Sequence, residues 1–125
     1  MTLFRRHFPG GVHAGSLAHA PCLTFDSKDR LQTLWTRQAF GAEIAPATHW
    51  LPSSQAFIDA ALVGLGWGMN PEMLVADHLR TGRLVALVPD QPLDVPLFWQ
   101  RSRIASSRLG DITRAVLRTA GAMLE

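Results

Sequence analysis

The sequence contains one cysteine, so an internal disulfide is excluded. It has no apolar run long enough to cross a membrane, and its first residues lack the apolar core of a secretory signal peptide. A single unpaired thiol is typical of proteins in a reducing compartment. We therefore expect a cytoplasmic protein that has no membrane partner.

Basic runs are also missing. The formal net charge is only +2, and the twelve Lys and Arg residues are scattered along the chain. This charge pattern does not predict a DNA-binding surface. With 125 residues, of which 47% are apolar, the chain is long enough for one domain with a modest core, and its composition argues against disorder.

Recognisable catalytic and metal-binding motifs are lacking as well. None of the five histidines pairs with a Cys or Glu at a usual zinc spacing, and no serine lies in a nucleophile-elbow context. Gly64-x-Gly66-x-Gly68 lies between a predicted helix and a strand, the reverse of a dinucleotide fingerprint. Cys22 lies in an apolar strand and is expected to be an inert core thiol. The sequence predicts no enzyme, no cofactor and no metal.

What the sequence does have is a central stretch, residues 49–71, that reads as strand, serine turn, helix, glycine turn and short strand. Ser53 and Ser54 follow Pro52 and supply hydroxyls for the helix N-cap. The helix, residues 54–64, is apolar almost all round, so we expect it to be covered on most sides. Residues 67–69 read as a short buried strand.

Helices and strands alternate along the rest of the chain, which predicts an α/β fold with a largely parallel sheet. A further helix is expected to be capped by Asp26 and ended by Gly41. Its Leu31, Leu34, Trp35 and Ala39 would form the apolar stripe. The remaining predicted helices span residues 2–8, 14–19, 71–81 and 107–124, and the remaining strands span residues 22–25, 84–88 and 95–100, of which 84–88 is expected to be buried on both faces.

The serine turn has two interpretations. Its hydroxyls could serve only as helix caps, and composition alone favours this reading. Alternatively, the free N–H groups at the helix start could also hold a ligand carboxylate. Because parallel strands end at one edge of a sheet, Asp26, which follows the preceding strand, should be a neighbour of Ser53.

A family pattern is carried by FPGGV at 8–12, FDSKDRLQ at 25–32, HWLPSSQAF at 49–57, GLGWGMNP at 64–71 and LDVPLFWQ at 93–100. These stretches resemble the effector-binding domain of LysR-type transcriptional regulators, in particular the ArgP (IciA) branch, whose members respond to lysine and arginine. The G-L-G pattern followed by proline is general to the family, whereas W-G-M-N-P is typical of the branch. The resemblance covers nearly the whole chain.

This resemblance implies a periplasmic-binding-protein-like (type II) fold, which has two α/β subdomains and an effector cleft between them. Residues 1–92 would form most of the second subdomain, and residues 93–125 the closing strand and helix of the first. The winged helix-turn-helix would be absent, so DNA would be bound only through that missing N-terminal domain. The last helix would expose an apolar face, and a homo-oligomer is expected.

The resemblance also implies a role in sensing a basic amino acid such as lysine or arginine. Ser53 and Ser54 would contact the polar end of this effector, and Trp50 would border the same space. Asp26 would attract the cationic side chain. The alternative functions for the same fold are a periplasmic-type solute-binding module and a purely dimerising module.

Overall fold

The computed structural model describes residues 2–104 and 107–124, which form two compact units. The first unit ends at Leu93 and contains α1 (Leu3–His7), α2 (Ala14–His19), β1 (Cys22–Thr24), α3 (Leu31–Phe40), β2 (Thr48–Trp50), α4 (Ser54–Leu62) and α5 (Glu72–Arg80). The second begins at Asp94 and contains α6 (Gly110–Met123). This alternation confirms the α/β class. Within the described ranges, no helix combines the length and apolarity needed to cross a bilayer.

β1 is the central strand of the first unit. On one side it pairs in parallel with β2, so that Thr24 lies opposite Trp50. On the other side it forms backbone hydrogen bonds with one residue of the glycine turn, residues 64–68. The Leu23 N–H donates to the Trp67 carbonyl at 2.6 Å, and the Trp67 N–H donates to the Pro21 carbonyl at 3.0 Å. The predicted parallel sheet is therefore present, but residues 67–69 contribute only an isolated bridge instead of a full strand.

The core lies on both faces of β1. One cluster joins buried residues of α2 and α3, and the C-cap residues of α1 and α2, to the sheet; it consists of Phe8, Leu17, Ala20, Cys22, Trp35 and Trp67. The other cluster is formed where α4 packs Phe57 and Ala60 against Leu23. Because Leu17 and Leu23 are fully buried, each of them contributes roughly 2 kcal/mol of hydrophobic stabilisation relative to an exposed side chain.

Two predicted strands are not formed. Residues 84–88 have no strand pairing, and the side chain of Val85 is 56% exposed, whereas it was expected to be buried. Residues 95–100 are also irregular, and the side chain of Phe98 is 81% exposed. A strand needs a backbone neighbour, and neither segment has one among the described residues. Apolar, β-prone sequence is thus not sufficient at these positions.

α4 is covered along its apolar surface, as the sequence pattern predicted. Phe57, Ile58 and Ala60 are buried, and the remaining apolar residues of the helix are half-buried. The exposed residues within α4 are polar, namely Ser54, Gln55 and Asp59. Exposure of an apolar side chain begins only at the C-cap, where Val63 is 71% exposed.

α6 in the second unit has no buried residue. Ile112 on its apolar stripe is 53% exposed, and Met123 near its end is 64% exposed. It is held in its unit in part by a polar contact, in which the Trp99 Nε1–H donates to the Thr113 hydroxyl at 3.2 Å. Within its own unit, the helix therefore exposes the apolar face that its sequence pattern predicted.

Candidate functional site

The carboxyl ends of β1 and β2 lie side by side. Thr24 and Trp50 are register partners, and the Leu51 N–H donates to the Thr24 carbonyl at 2.9 Å. The turn that holds Asp26 and the turn that holds Ser53 therefore leave the same edge of the sheet. In α/β folds this edge is where polar ligands are most often bound.

The serine turn is built by the start of α4. Ser53 is the N-cap residue, and its hydroxyl oxygen accepts a hydrogen bond from the Ala56 N–H at 3.3 Å. Ser54 is the first helical residue, and its side chain is exposed and makes no hydrogen bond to a described residue. The first N–H groups of a helix have no acceptor within it, so those of Ser54 and Gln55 are available to a ligand. Ser53 thus caps the helix, whereas Ser54 has no role in capping.

Asp26 has a different structural role from the one predicted. α3 begins only at Leu31, and its N-cap Arg30 makes no side-chain capping bond. Asp26 instead stabilises the turn before the helix, because its Oδ1 accepts from the N–H groups of Lys28 at 2.8 Å and Asp29 at 3.1 Å. The prediction that it caps α3 was wrong because this turn separates it from the helix. Its Oδ2 accepts no hydrogen bond from a described residue.

Asp29, which was expected in the first turn of the helix, and Gln32, which sequence reasoning did not single out, hold this turn in place. Asp29 Oδ2 accepts from the Phe25 N–H at 3.0 Å and from the Gln32 amide at 3.2 Å. The same Gln32 amide donates to the Leu23 carbonyl at 2.9 Å, and Gln32 is buried. The one signal in the sequence was the three-residue spacing of Asp29 and Gln32 across a helix start.

The apolar stripe predicted for α3 is only partly buried. Trp35 is buried, whereas Leu34 is 46% exposed.

Trp50 lies at the end of β2, and its side chain is 58% exposed. By contrast, Trp35 and Trp67 are core residues whose ring centroids lie 5.7 Å apart. An exposed indole at a sheet edge can pack along the apolar part of a ligand. The described structure therefore brings an apolar wall, a free carboxylate oxygen and a helix start to one edge.

The electrostatics of this edge suit a ligand that carries both signs of charge. The start of α4 has the positive end of a helix dipole, which favours a carboxylate. The free Oδ2 of Asp26 favours an ammonium or guanidinium group. Among the described residues, no hydrogen bond or ion pair links Asp26 to Ser53. The arrangement thus offers one partner for an anionic group and another for a cationic group.

Cys22, at the opposite end of β1, is unsuited to chemistry. Its side chain is 2% exposed. Burial raises the pKa of the thiol from 9.0 to about 12, a hydrogen bond with Thr24 partly opposes this rise, and Asp29 adds to it. The thiolate is the reactive form, so we expect the native thiol to be unreactive at neutral pH. The expectation that Cys22 lies in the core is confirmed.

We expect the native protein to be unreactive toward a thiol reagent such as DTNB at pH 8, and to react stoichiometrically in 6 M guanidinium. Folding raises the pKa of the thiol from 9.0 to about 12. The contribution of the protonated thiol to the free energy of unfolding is therefore fully present below pH 9, and it is lost as the pH rises toward 12. Urea titrations at pH 8 and pH 10 measure this fall. Cys22→Ala is the control, and an equal fall in that variant would assign the effect to other groups.

Residues 5–121 match the family described as the LysR substrate binding domain. The HTH-type transcriptional regulator ArgP of Pseudomonas fluorescens Pf0-1 is 39% identical over 123 residues, which are 98% of this chain and 41% of that protein. The HTH-type transcriptional regulator LysG of Mycobacterium bovis is 40% identical over 119 residues, or 95% of this chain and 39% of that protein. The chain thus spans about two fifths of the length of these relatives.

The chain also resembles solved structures of LysR family proteins. The C-terminal domains of a LysR family protein from Agrobacterium tumefaciens C58 match with a TM-score of 0.94 and 51% identity, over 98% of this chain and 59% of that one. Full-length LysG from Corynebacterium glutamicum, solved with the bound effector Arg, matches with a TM-score of 0.67 and 35% identity, over 82% of this chain and 34% of that one. The relatives are named as regulators and not as enzymes.

Proposed function

Because this chain belongs to the LysR substrate-binding domain family, we propose that it senses a basic amino acid, lysine or arginine, on behalf of a transcription regulator. The observation that carries this proposal is the likeness to LysG of Corynebacterium glutamicum, a structure that contains the bound effector Arg. The relatives named ArgP and LysG point to the same effector class.

The edge formed by β1 and β2 supports this proposal through its chemistry. The α-carboxylate of the amino acid would accept hydrogen bonds from the free N–H groups at the start of α4 and from the Ser54 hydroxyl. Trp50 would pack along the methylene groups of the ligand. Asp26 Oδ2 would receive the guanidinium or ammonium group.

Sensing requires that the effector bind one conformation of the regulator better than another. In this proposal the effector would close the cleft at the sheet edge, and the change would alter how regulator subunits assemble. DNA contact would be made by a winged helix-turn-helix domain outside the residues described. Residues up to 92 would belong to the second effector subdomain, and residues from 93 onward to the first.

The test is isothermal titration calorimetry of the protein with L-arginine, L-lysine and L-citrulline. Citrulline has nearly the shape of arginine but no positive charge. We expect the titration to show that arginine or lysine binds. Citrulline should bind at least tenfold more weakly, because citrulline lacks the positive charge that Asp26 would contact. Equal affinity for arginine and citrulline, or no binding of either basic amino acid, would contradict the proposal.

The serine pair provides a matched set of variants. We expect Ser53→Ala to lower stability by about 1 kcal/mol, because it removes the N-cap of α4. Ser54→Ala should leave the melting temperature nearly unchanged and weaken arginine binding, because its hydroxyl is free for the ligand. Differential scanning calorimetry and titration calorimetry measure the two effects. If Ser54→Ala binds arginine like the parent, the Ser54 hydroxyl does not contact the ligand.

A further inference from the structure

The first 25 residues of the chain carry positive charge and no negative charge. All ten Asp and Glu residues come later, beginning with Asp26, whereas Arg5, Arg6 and three of the five histidines lie within this stretch. The stretch forms the two short helices α1 and α2 and the turn between them. A surface built from these residues alone therefore favours anions, because no carboxylate of the same stretch offsets its charge.

These two helices and the turn between them line an open cavity of about 530 Å³. Its charged and titratable side chains are Arg6, His7, His13 and His19. No described Asp or Glu lines it. Ala20, which also lines the cavity, lies just before β1 begins at Cys22. The cavity is thus at the amino end of β1, opposite the sheet edge at which we propose that the amino acid binds.

Hydrogen bonds to backbone groups fix where the proton lies in each of the three imidazole rings. The His7 Nε2–H donates to the Gly64 carbonyl at 2.7 Å, because a carbonyl oxygen can only accept. The His19 Nδ1–H donates in the same way to a carbonyl of its own helix at 2.8 Å. His13 is the reverse case, since its Nδ1 accepts from the Ser16 N–H at 3.2 Å. Its Nε2 therefore carries the proton in the neutral ring.

The second nitrogen of each ring has no hydrogen bond to a described residue, and each can donate to an anion. His13 donates through its Nε2–H while the ring is neutral. His7 and His19 can each take up a proton on the second nitrogen without losing the hydrogen bond that the first one makes. The Arg6 guanidinium is exposed and has no partner among the described residues. The cavity thus has four side chains that can donate and none that is negatively charged.

We propose that this cavity binds the phosphate group of a small molecule. A phosphate ester has a charge of about −1.5 to −2 near neutral pH and three strong acceptor oxygens, and guanidinium groups match its geometry. The cavity volume lies within the range of roughly 300–1,000 Å³ that small-molecule sites have.

Two other kinds of ligand suit the cavity less well. A metal ion would be repelled by Arg6, and of the three histidines only His7 and His19 offer it a lone pair. A nucleic acid is bound by many basic side chains spread along a surface, and this chain has no basic run. The phosphate of a small molecule needs only the few donors that the cavity has.

The first experiment is a titration of the nitrogen-labelled protein with inorganic phosphate at constant ionic strength, followed by the imidazole signals in nitrogen–proton spectra. We expect saturable shifts at His7, His13 and His19, and no such shifts when sodium chloride replaces phosphate. Arg6→Gln should weaken phosphate binding by about tenfold or more, because it removes a charged donor.

Arg5→Gln is the matched control for Arg6→Gln. The two arginines are neighbours on α1 and both are exposed, but Arg5 does not line the cavity. Each substitution lowers the net charge by one, so each changes the general attraction of anions equally. We expect Arg5→Gln to bind phosphate as the parent does, and circular dichroism checks both folds. Equal losses in the two variants would overturn the proposal, because phosphate would then respond only to net charge.

The second experiment uses sulfate, whose charge does not change between pH 6 and pH 8. We expect sulfate to bind about tenfold more tightly at pH 6, because histidines take up protons in this range. His19→Gln should reduce this difference, since glutamine can still donate to the helix carbonyl but cannot gain charge. The other charged or titratable groups of the lining, Arg6, His7 and His13, are unchanged in this variant. His49→Gln, at an exposed position of β2 outside the cavity, is the control and should retain the full difference.

Several results would overturn the proposal. They are the absence of saturable phosphate binding, an undiminished pH difference in His19→Gln, and binding of zinc chloride at these histidines without binding of phosphate. A DNA duplex that phosphate displaces from Arg6 and that binds more tightly than phosphate would overturn the choice of a small molecule. We expect Arg6→Gln to bind L-arginine like the parent, so this test is independent of the test for amino-acid sensing.

Discussion

Asp26→Asn is expected to weaken arginine binding by between about tenfold and a hundredfold while leaving the fold nearly as stable as before. A hydrogen bond to a charged group contributes about 1.5–3 kcal/mol, and the substitution removes the charge that the guanidinium would contact. Stability is retained because asparagine keeps an Oδ1 acceptor for the N–H groups of Lys28 and Asp29. Titration calorimetry and chemical denaturation measure the two quantities on the same protein.

Asp29→Asn is the matched control for that prediction. Both oxygens of Asp29 already accept hydrogen bonds, from Leu31, Phe25 and Gln32. Its loss of charge should therefore reduce stability more than it reduces arginine affinity. Citrulline adds a second control, because Asp26→Asn should affect its binding little. If arginine and citrulline lose affinity equally in Asp26→Asn, the carboxylate does not contact the cationic end.

Gly66→Ala is expected to cause the largest loss of stability among the glycine variants. A Cβ at this position would lie 2.5 Å from the Pro21 carbonyl oxygen, which is the acceptor for the Trp67 N–H. The contact is with backbone, so it cannot be relieved by rotating a side chain. Overpacking of this kind costs about 1–3 kcal/mol, and the broken bridge to β1 adds to it.

Gly10→Ala is the control, since a Cβ there meets no atom within 4 Å. Urea denaturation followed by tryptophan fluorescence should show a lower midpoint for Gly66→Ala and an unchanged midpoint for Gly10→Ala. Trp67 lies beside the substituted residue and reports the change directly. A Gly66→Ala protein that unfolds at the midpoint of the parent would show that the glycine turn can move away from β1 without cost.

The elements that could be predicted from the sequence are those set by local signals. Ser53 before an apolar run fixes the start of α4, and the Gly41 stop fixes the end of α3, where the residue adopts a φ of +69°. The apolar run at Cys22 and the aromatic, β-branched run at Thr48 fix β1 and β2. These signals depend on residues within a few positions of each other, which is why sequence reasoning reached them.

What could not be predicted depends on partners distant in the chain. Gln32 is buried because its amide reaches the Leu23 carbonyl nine residues earlier, and no local pattern shows this. Residues 84–88 have every local feature of a strand and yet pair with no described residue. That the turns holding Asp26 and Ser53 leave the same edge of the sheet was predictable, because parallel strands end together. The sequence could not predict which carboxylate oxygen of Asp26 is free of hydrogen bonds.

The central position of β1 has a consequence for the order in which the chain folds. Its two neighbours are distant in sequence, since Cys22 pairs with Thr48 and bridges to Trp67. The segment between β1 and β2 and the segment between β1 and Trp67 must both close before the buried Leu23 gains its contacts. The entropy lost in closing the two segments is offset only when Trp67 also pairs with β1. The helices form from local contacts within microseconds, so the sheet would assemble last. Folding kinetics would therefore be limited by the docking of the glycine turn, and substitutions there would slow folding more than substitutions in α2.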